Sequence, residues 1–343
     1  MRQDTSYQYA IGRIRALEIR LMGPSDFSML AETAEPDRFV SALYAFGYPE
    51  VSQSDYDRYG LDASGDPDGL LRLYEKLIPD FRNDQVRELM RFCPEPELLA
   101  GFLSDTDFAN AKTCVKYKAR GALTERTLSG RGGNIPADII FAAISRGETD
   151  KLPGMLSEGI KEAEKILAGT GTPRFADFAI DKAYFAHLRG LVKKSSLRTR
   201  RFLGRYLDAW CDLKNILSCV RIGNTEDAQE EFSRCYLPGK ISEEQFKHAL
   251  AGGISPWTGT VYEELFRKET EEKGIDPADM ERFCDDYLLD LGRSAASDTD
   301  TVGPVFAYLL SRKREIMNIR LLLVGKRGGV KARELMKMIR RTV

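Results

Sequence analysis

Three pairs of residues have the types that could move protons: Asp107 with Asn110, Asp212 with Asn215, and Glu315 with Asn318. In each, an acid precedes an asparagine by three positions, so on a helix both groups share one face. A carboxylate there can take up or release a proton, and an amide can donate and accept at once. Three equivalent copies nevertheless favour a scaffolding task over catalysis, because the surroundings repeat as well. Four residues past each Asn stand Cys114, Cys219 and Leu322. A glycine-containing break then follows at Gly132-Gly133-Asn134-Ile135, Gly239-Lys240-Ile241 and Gly328-Gly329-Val330.

Other chemistries lack the residues they need. The six cysteines, at 93, 114, 211, 219, 235 and 284, form no C-x-x-C, and only His187 and His248 accompany them. They read as small buried hydrophobes in a reducing compartment, so no metal is expected. A phosphate loop requires Ser or Thr after its Gly-Lys, to reach magnesium, and Gly239-Lys240 is followed by Ile241. Ser129 to Gly133 is glycine-rich but follows no strand, and reads as a hinge between helices. Neither histidine stands near a nucleophile-elbow motif. Catalytic residues, cofactors and directly bound nucleotide are all expected to be absent.

The elements that position the pairs are expected to be helices. Helix formers dominate, runs of alternating Val, Ile and Thr are nearly absent, and an apolar fraction of 43% is ample for real cores. The chain therefore reads as all-α. Val305, Leu309, Ile316, Ile319 and Leu323 recur at helical intervals after the start signal Gly303-Pro304. Leu203, Leu207, Trp210, Leu213, Leu217 and Val220 form one stripe of an earlier helix whose other side carries Asp212, Asn215, Cys219 and Ile222, so that helix is expected to be interior. Further helices are expected from Tyr9 to before Gly23-Pro24, at Leu70 to Leu77, Asp84 to Phe92, Glu97 through Asn110, and Phe178 to Val192. The acidic stretch Ser52 to Gly69 and the segment Gly252 to Gly259, which holds Trp257, read as loops. Copies about one hundred residues apart make a repeat of domain size, with modules at 1–138, 139–237 and 238–343.

Charge adds one asymmetry. With 51 basic and 52 acidic residues the net charge is −1, which gives no global drive toward nucleic acid or an anionic membrane. The start of the third module is acidic, whereas Arg312, Lys313, Arg314, Lys326 and Arg327 bracket an apolar helix. Part of that cluster is expected to project outward and bind a partner, since unpaired buried charge is costly. The N-terminal residues show no secretory pattern, and the longest aliphatic run, Leu321 to Val324, falls far short of the roughly 20 residues that span a bilayer. A cytoplasmic chain with at most peripheral membrane association is expected.

The segment VFAYLLSRKREIMNIRLLLVGKRGG, with Asp212 to Ile216, Tyr9 to Glu18 and the turn Leu237-Pro238-Gly239, resembles the C subunits of archaeal and bacterial V/A-type ATPases, whose eukaryotic counterpart is the d subunit of the vacuolar ATPase. The likeness covers nearly the whole chain; Ala111 and Gly12 depart from the family pattern. The resemblance implies three similar helical bundles in a pseudo-threefold, funnel-like arrangement. It also implies a non-catalytic connector that couples the central axle to the membrane rotor ring, with membrane association only through the complex. The competing reading is an all-helical scaffold or adaptor unrelated to ion pumping. Nucleic-acid binding through Lys193 to Arg205 and Arg312 to Arg341 is disfavoured by the charge balance and the scarcity of interleaved aromatics, Phe202 alone standing in these stretches.

Overall fold

The computed structural model describes residues 5–61, 68–124, 132–223, 225–264, 266 and 277–342. Helices and turns account for its regular structure, with no strand among the described residues. Contacts divide the chain into two compact units. One comprises residues 1–100, 129–132 and 292–343; the other comprises 101–128 and 133–291.

The first unit is built around α15 (Gly303–Arg327), which packs against α1 (Thr5–Glu18), α2 (Pro24–Glu32), α5 (Gly69–Met90) and α16 (Ala332–Met338). Gly303 and Pro304 open α15 as expected, but its burial is broader than one stripe. Val305 to Leu309 are all buried, and so are Arg312, Arg314, Glu315, Asn318, Ile319, Leu322 and Leu323. A helix enclosed on most sides shows little amphipathic contrast. Phe27, Phe39, Leu43, Leu73, Tyr74 and Ile78 complete this core, the Phe39 and Leu43 side chains coming from α3 (Pro36–Tyr44).

Two expectations in this unit are corrected. The acidic stretch from Ser52 is not all loop, because Ser52 and Asp55 form a capping box that starts α4 (Gln53–Tyr59); residues 62–67 lie outside the described residues. The helices expected at 70–77 and 84–92 are one helix, α5, with Pro79 inside it. Proline removes a backbone bond there, but Leu77, Ile78, Asn83 and Val86 are buried around it and hold the helix together through tertiary packing.

The helix expected from Glu97 is in fact two, α6 (Pro96–Leu103) and α7 (Asp105–Ala119), separated at Ser104. In the second unit α7 packs with α8 (Ala137–Arg146), α9 (Gly154–Thr170) and α10 (Pro173–Lys194), and α9 and α10 run together along their length. Gly159 permits that approach, since a Cβ there would meet the Cβ of Ala183. The long α11 (Leu197–Ile222) begins at Ser196, whose Oγ accepts from the Thr199 N–H at 3.3 Å. Packed against it are α12 (Ala228–Cys235) and α13 (Glu243–Leu250). The turns from Gly252 to Gly259 bury Trp257 against Phe266, and α14 (Pro277–Arg293) follows.

Candidate functional site

The three acid–asparagine pairs all lie in buried parts of long helices, and the second is the simplest. On α11, Asp212 Oδ1 accepts the Ile241 N–H at 3.0 Å and Oδ2 accepts the Tyr262 hydroxyl at 3.1 Å. One turn on, the Asn215 amide grips one residue from both sides: Nδ2 donates to the Leu237 carbonyl at 2.7 Å and Oδ1 accepts the Leu237 N–H at 3.0 Å. Together they tie the turn 237–241, which enters α13, to the middle of α11. Gly239 is required by closeness, because a Cβ there would collide with Asp212 Oδ1. Desolvation raises the Asp212 pKa, opposed by the backbone and tyrosine donors. Burial also raises the Tyr262 pKa, which keeps its hydroxyl a donor.

On α15, Asn318 repeats the grip at the same separation of 22 residues, with Nδ2 to the Arg340 carbonyl at 2.7 Å and the Arg340 N–H to Oδ1 at 2.9 Å. The acid departs from the pattern. Glu315 Oε2 accepts the N–H of Met22, 293 residues away, at 2.6 Å, and Oε1 accepts the Tyr48 hydroxyl at 2.6 Å. Met22 stands in the turn that enters α2, so this carboxylate holds a helix entrance supplied by the N-terminal region of the sequence. Thr342 Oγ1 donates to the Met22 carbonyl at 3.0 Å and closes the same junction. The expected equivalence of Gly328-Gly329-Val330 with the other two breaks is therefore wrong. The equivalent point is Arg340, and the shared spacing of 22 residues is the signal that would have located it.

On α7, Asp107 accepts three successive N–H groups, from Gly133 at 2.9 Å, Asn134 at 3.0 Å and Ile135 at 3.3 Å, just before α8. A Cβ on Gly133 would crowd that carboxylate at 2.7 Å. Desolvation raises the Asp107 pKa against these donors. Asn110 is buried, but its Nδ2 has no hydrogen-bond partner among the described residues. At the matching separation, the Gly132 carbonyl accepts from Asn83 Nδ2 at 2.9 Å.

Glu315 alone has a cationic neighbour on its own helix. Arg312 forms an ion pair with it, both side chains almost fully buried, and the guanidinium lies 4.6 Å from the Tyr48 ring centroid and 5.5 Å from that of Phe81. Buried charge survives here because it is paired and stacked. Arg312 therefore does not project outward as expected. Arg314 is buried and Lys313 partly so, both with interactions of their own. Lys326 donates to the carbonyls of Ala31 at 2.9 Å and Thr33 at 2.6 Å, where a cation suits the C-terminal end of α2. Arg327 pairs with Glu75 of α5. These charges hold the unit together; the exposed cations of the region include Arg320, Lys331 and Arg333.

This arrangement can do little chemistry. Each oxygen of the three carboxylates already accepts from a fixed donor, and the hollow of about 430 Å³ beside Asn215 finds that amide already committed to Leu237. All six cysteines are buried and unbridged. Desolvation pushes the Cys93 and Cys284 thiols up to about 12 and those of Cys114, Cys211 and Cys219 to about 11, so the reactive thiolate is suppressed. His187 is half-buried with a lowered pKa, again from desolvation. No group of His, Cys, Asp and Glu among the described residues could hold a metal.

Comparison with known proteins is consistent along the chain. A family model described as ATP synthase (C/AC39) subunit matches residues 10–338. The C subunit of the V-type sodium ATPase of Enterococcus hirae is 23% identical over 333 residues, covering 95% of this chain and 96% of the relative. The C subunit of the A-type ATP synthase of Methanocaldococcus jannaschii is 24% identical over 354 residues, covering 97% and 86%. That of Thermococcus kodakarensis is 22% identical over 340 residues, covering 93% and 86%.

Proposed function

The chain belongs to the ATP synthase (C/AC39) subunit family, and from that membership we propose that it is the non-catalytic central-stalk connector of a V/A-type ATPase, coupling the rotating axle to the membrane rotor ring. The observation that carries the reading is the match over residues 10–338. The clamps support it physically. A connector under torque must not slip, and hydrogen bonds that tie helix entrances to the middles of neighbouring helices stiffen a helical bundle at the joints where it would otherwise flex. No described helix is long and apolar enough to cross a membrane; in the proposed role, attachment is peripheral, on the cytoplasmic side, through partner subunits.

The recurrence of the clamp supports a pseudo-threefold, funnel-like plan with modules at 1–138, 139–237 and 238–343, the last completed by the turn at Met22. Arg312, Lys313, Arg314, Lys326 and Arg327 then act mainly by holding together the unit that partners meet. Purification of the tagged full chain from detergent-solubilised membranes of its own host tests the role. Recovery of ring and axle subunits, with loss of ATP-driven ion transport but not of ATP hydrolysis by the head when the chain is depleted, is the expected result. Recovery of neither partner refutes the proposal and favours an unrelated helical scaffold.

A further inference from the structure

A groove of about 590 Å³ opens between the outer face of α15, the turn at Gly328 to Val330, and α16. Its floor is apolar: Met317, Leu321, Val324, Val330, Leu335 and Met338 line it. Four of these, Met317, Val324, Val330 and Met338, are 41–52% exposed, which is unusual for large apolar side chains gathered in one place. One wall is held in place by close packing, since Gly325 lets Leu335 sit directly on α15 where a Cβ would collide with it. Arg320 stands among the lining residues, while Lys331, next to Val330, and Arg333, on α16, are exposed on the flanking segment; none of the three side chains makes a hydrogen bond or ion pair among the described residues. From Met317 to Thr342 the only acid in the sequence is Glu334, and it is paired with Lys337 at 2.9 Å. Across α16 on α2, Asp26 is occupied by the Gly23 N–H at 2.8 Å, which leaves Glu32 as the other acid of that helix.

We propose that this groove receives an amphipathic helix of a partner protein, with an apolar stripe bordered by Asp and Glu. A trough between two helices accepts the ridge of a third at ordinary interhelical distance. Methionines suit such a floor because they adapt to the side chains that enter. Arg320 in the lining and the basic balance of the segment that forms the groove select an acidic border, so charge sets orientation while apolar contact holds the helix. A flat bilayer cannot enter a concave trough, and a nucleic acid would leave the apolar floor uncovered. The inference deepens the connector role by giving one docking surface for a rotor partner, and it rests on that reading only for the existence of a stable partner.

The test uses the full chain and a fluorescent synthetic helix of about 18 residues, long enough to form an amphipathic helix when bound. Its Leu residues recur at i, i+3, i+4 and i+7, flanked by Glu. Saturable binding that weakens with salt is expected, falling at least ~10-fold in Arg320→Glu and in Val324→Asn. Both variants alter exposed side chains, and circular dichroism verifies that they remain folded. The proposal is overturned if the acidic helix does not bind, or if the same helix with Lys in place of Glu binds equally well. It is also overturned if vesicles containing phosphatidylglycerol bind the groove and displace the acidic helix, or if sedimentation shows that a second copy of this chain covers it. A chain that binds the acidic helix but recovers no ring or axle leaves the groove assigned and refutes the rotary role. One that recovers ring and axle without binding it does the opposite.

Discussion

The clamps on α11 and α15 use the same two residue positions and nearly the same amide geometry, yet they hold different kinds of joint. Asp212 reaches an N–H 29 residues ahead and a tyrosine 50 residues ahead, with no cation in the contact. Glu315 reaches back 293 residues to Met22 and 267 to Tyr48, and carries a buried arginine with it. The first secures a turn that local chain connectivity already brings close. The second joins the two ends of the sequence, so the loop it closes is nearly the whole chain, and its ionic partner raises the cost of opening it. A motif can thus be repeated for its geometry while its energetic weight differs from copy to copy.

The largest expected effect separates these two. Glu315→Ala leaves the Arg312 charge buried without its partner and strands the Met22 and Tyr48 donors, at a cost of about 3–5 kcal/mol, read as a lower denaturation midpoint in urea. A loss no greater than that of the α11 variants would remove the distinction drawn above. Next comes Asn215→Leu, which orphans the Leu237 N–H and carbonyl and should destabilise by about 1–3 kcal/mol without altering any activity. An unchanged unfolding midpoint would mean that the amide grip carries no weight.

A smaller effect distinguishes the acids by pH. The Asp212 pKa is raised in the folded chain, chiefly by desolvation, so the native state binds more protons than the unfolded state just above the ordinary aspartate value near 4. Stability from this group therefore rises as pH falls into that window and declines as pH rises through it. Comparing thermal midpoints of the parent and Asp212→Asn across that window should show this component in the parent alone; identical slopes would show that Asp212 keeps an ordinary pKa. The smallest effect is expected for Asn110→Leu, where Nδ2 has no partner among the described residues and replacement by an apolar group should change the midpoint little. Destabilisation equal to that of Asn215→Leu would show that the first clamp is as complete as the second.

The helices and the paired positions were legible because they depend on periodicity and on neighbours three or four residues away. Asp212, Asn215, Glu315 and Asn318 are as buried as an interior helix implies. What was misread involves distance along the chain. Pro79 marks a helix boundary by local propensity, and only packing around Ile78 and Asn83 carries α5 through it. Lys326 belongs to a basic run by composition, and its partners Ala31 and Thr33 become visible only when α2 and α15 are side by side, whereas Glu315, the partner of Arg312, stands one turn away on the same helix and only its burial is a tertiary matter.

The sequence by itself determined the all-helical class, the family, and the three places where a carboxylate and an amide must face one way, because helical spacing and order of motifs are local properties. Only the tertiary structure decided which turn each carboxylate holds. Three donors within 28 residues satisfy Asp107, whereas Glu315 is satisfied by a residue from the opposite end of the chain. A buried carboxylate takes whichever donors the packed fold brings within hydrogen-bonding reach, and separation along the sequence does not enter that energy once the chain is folded.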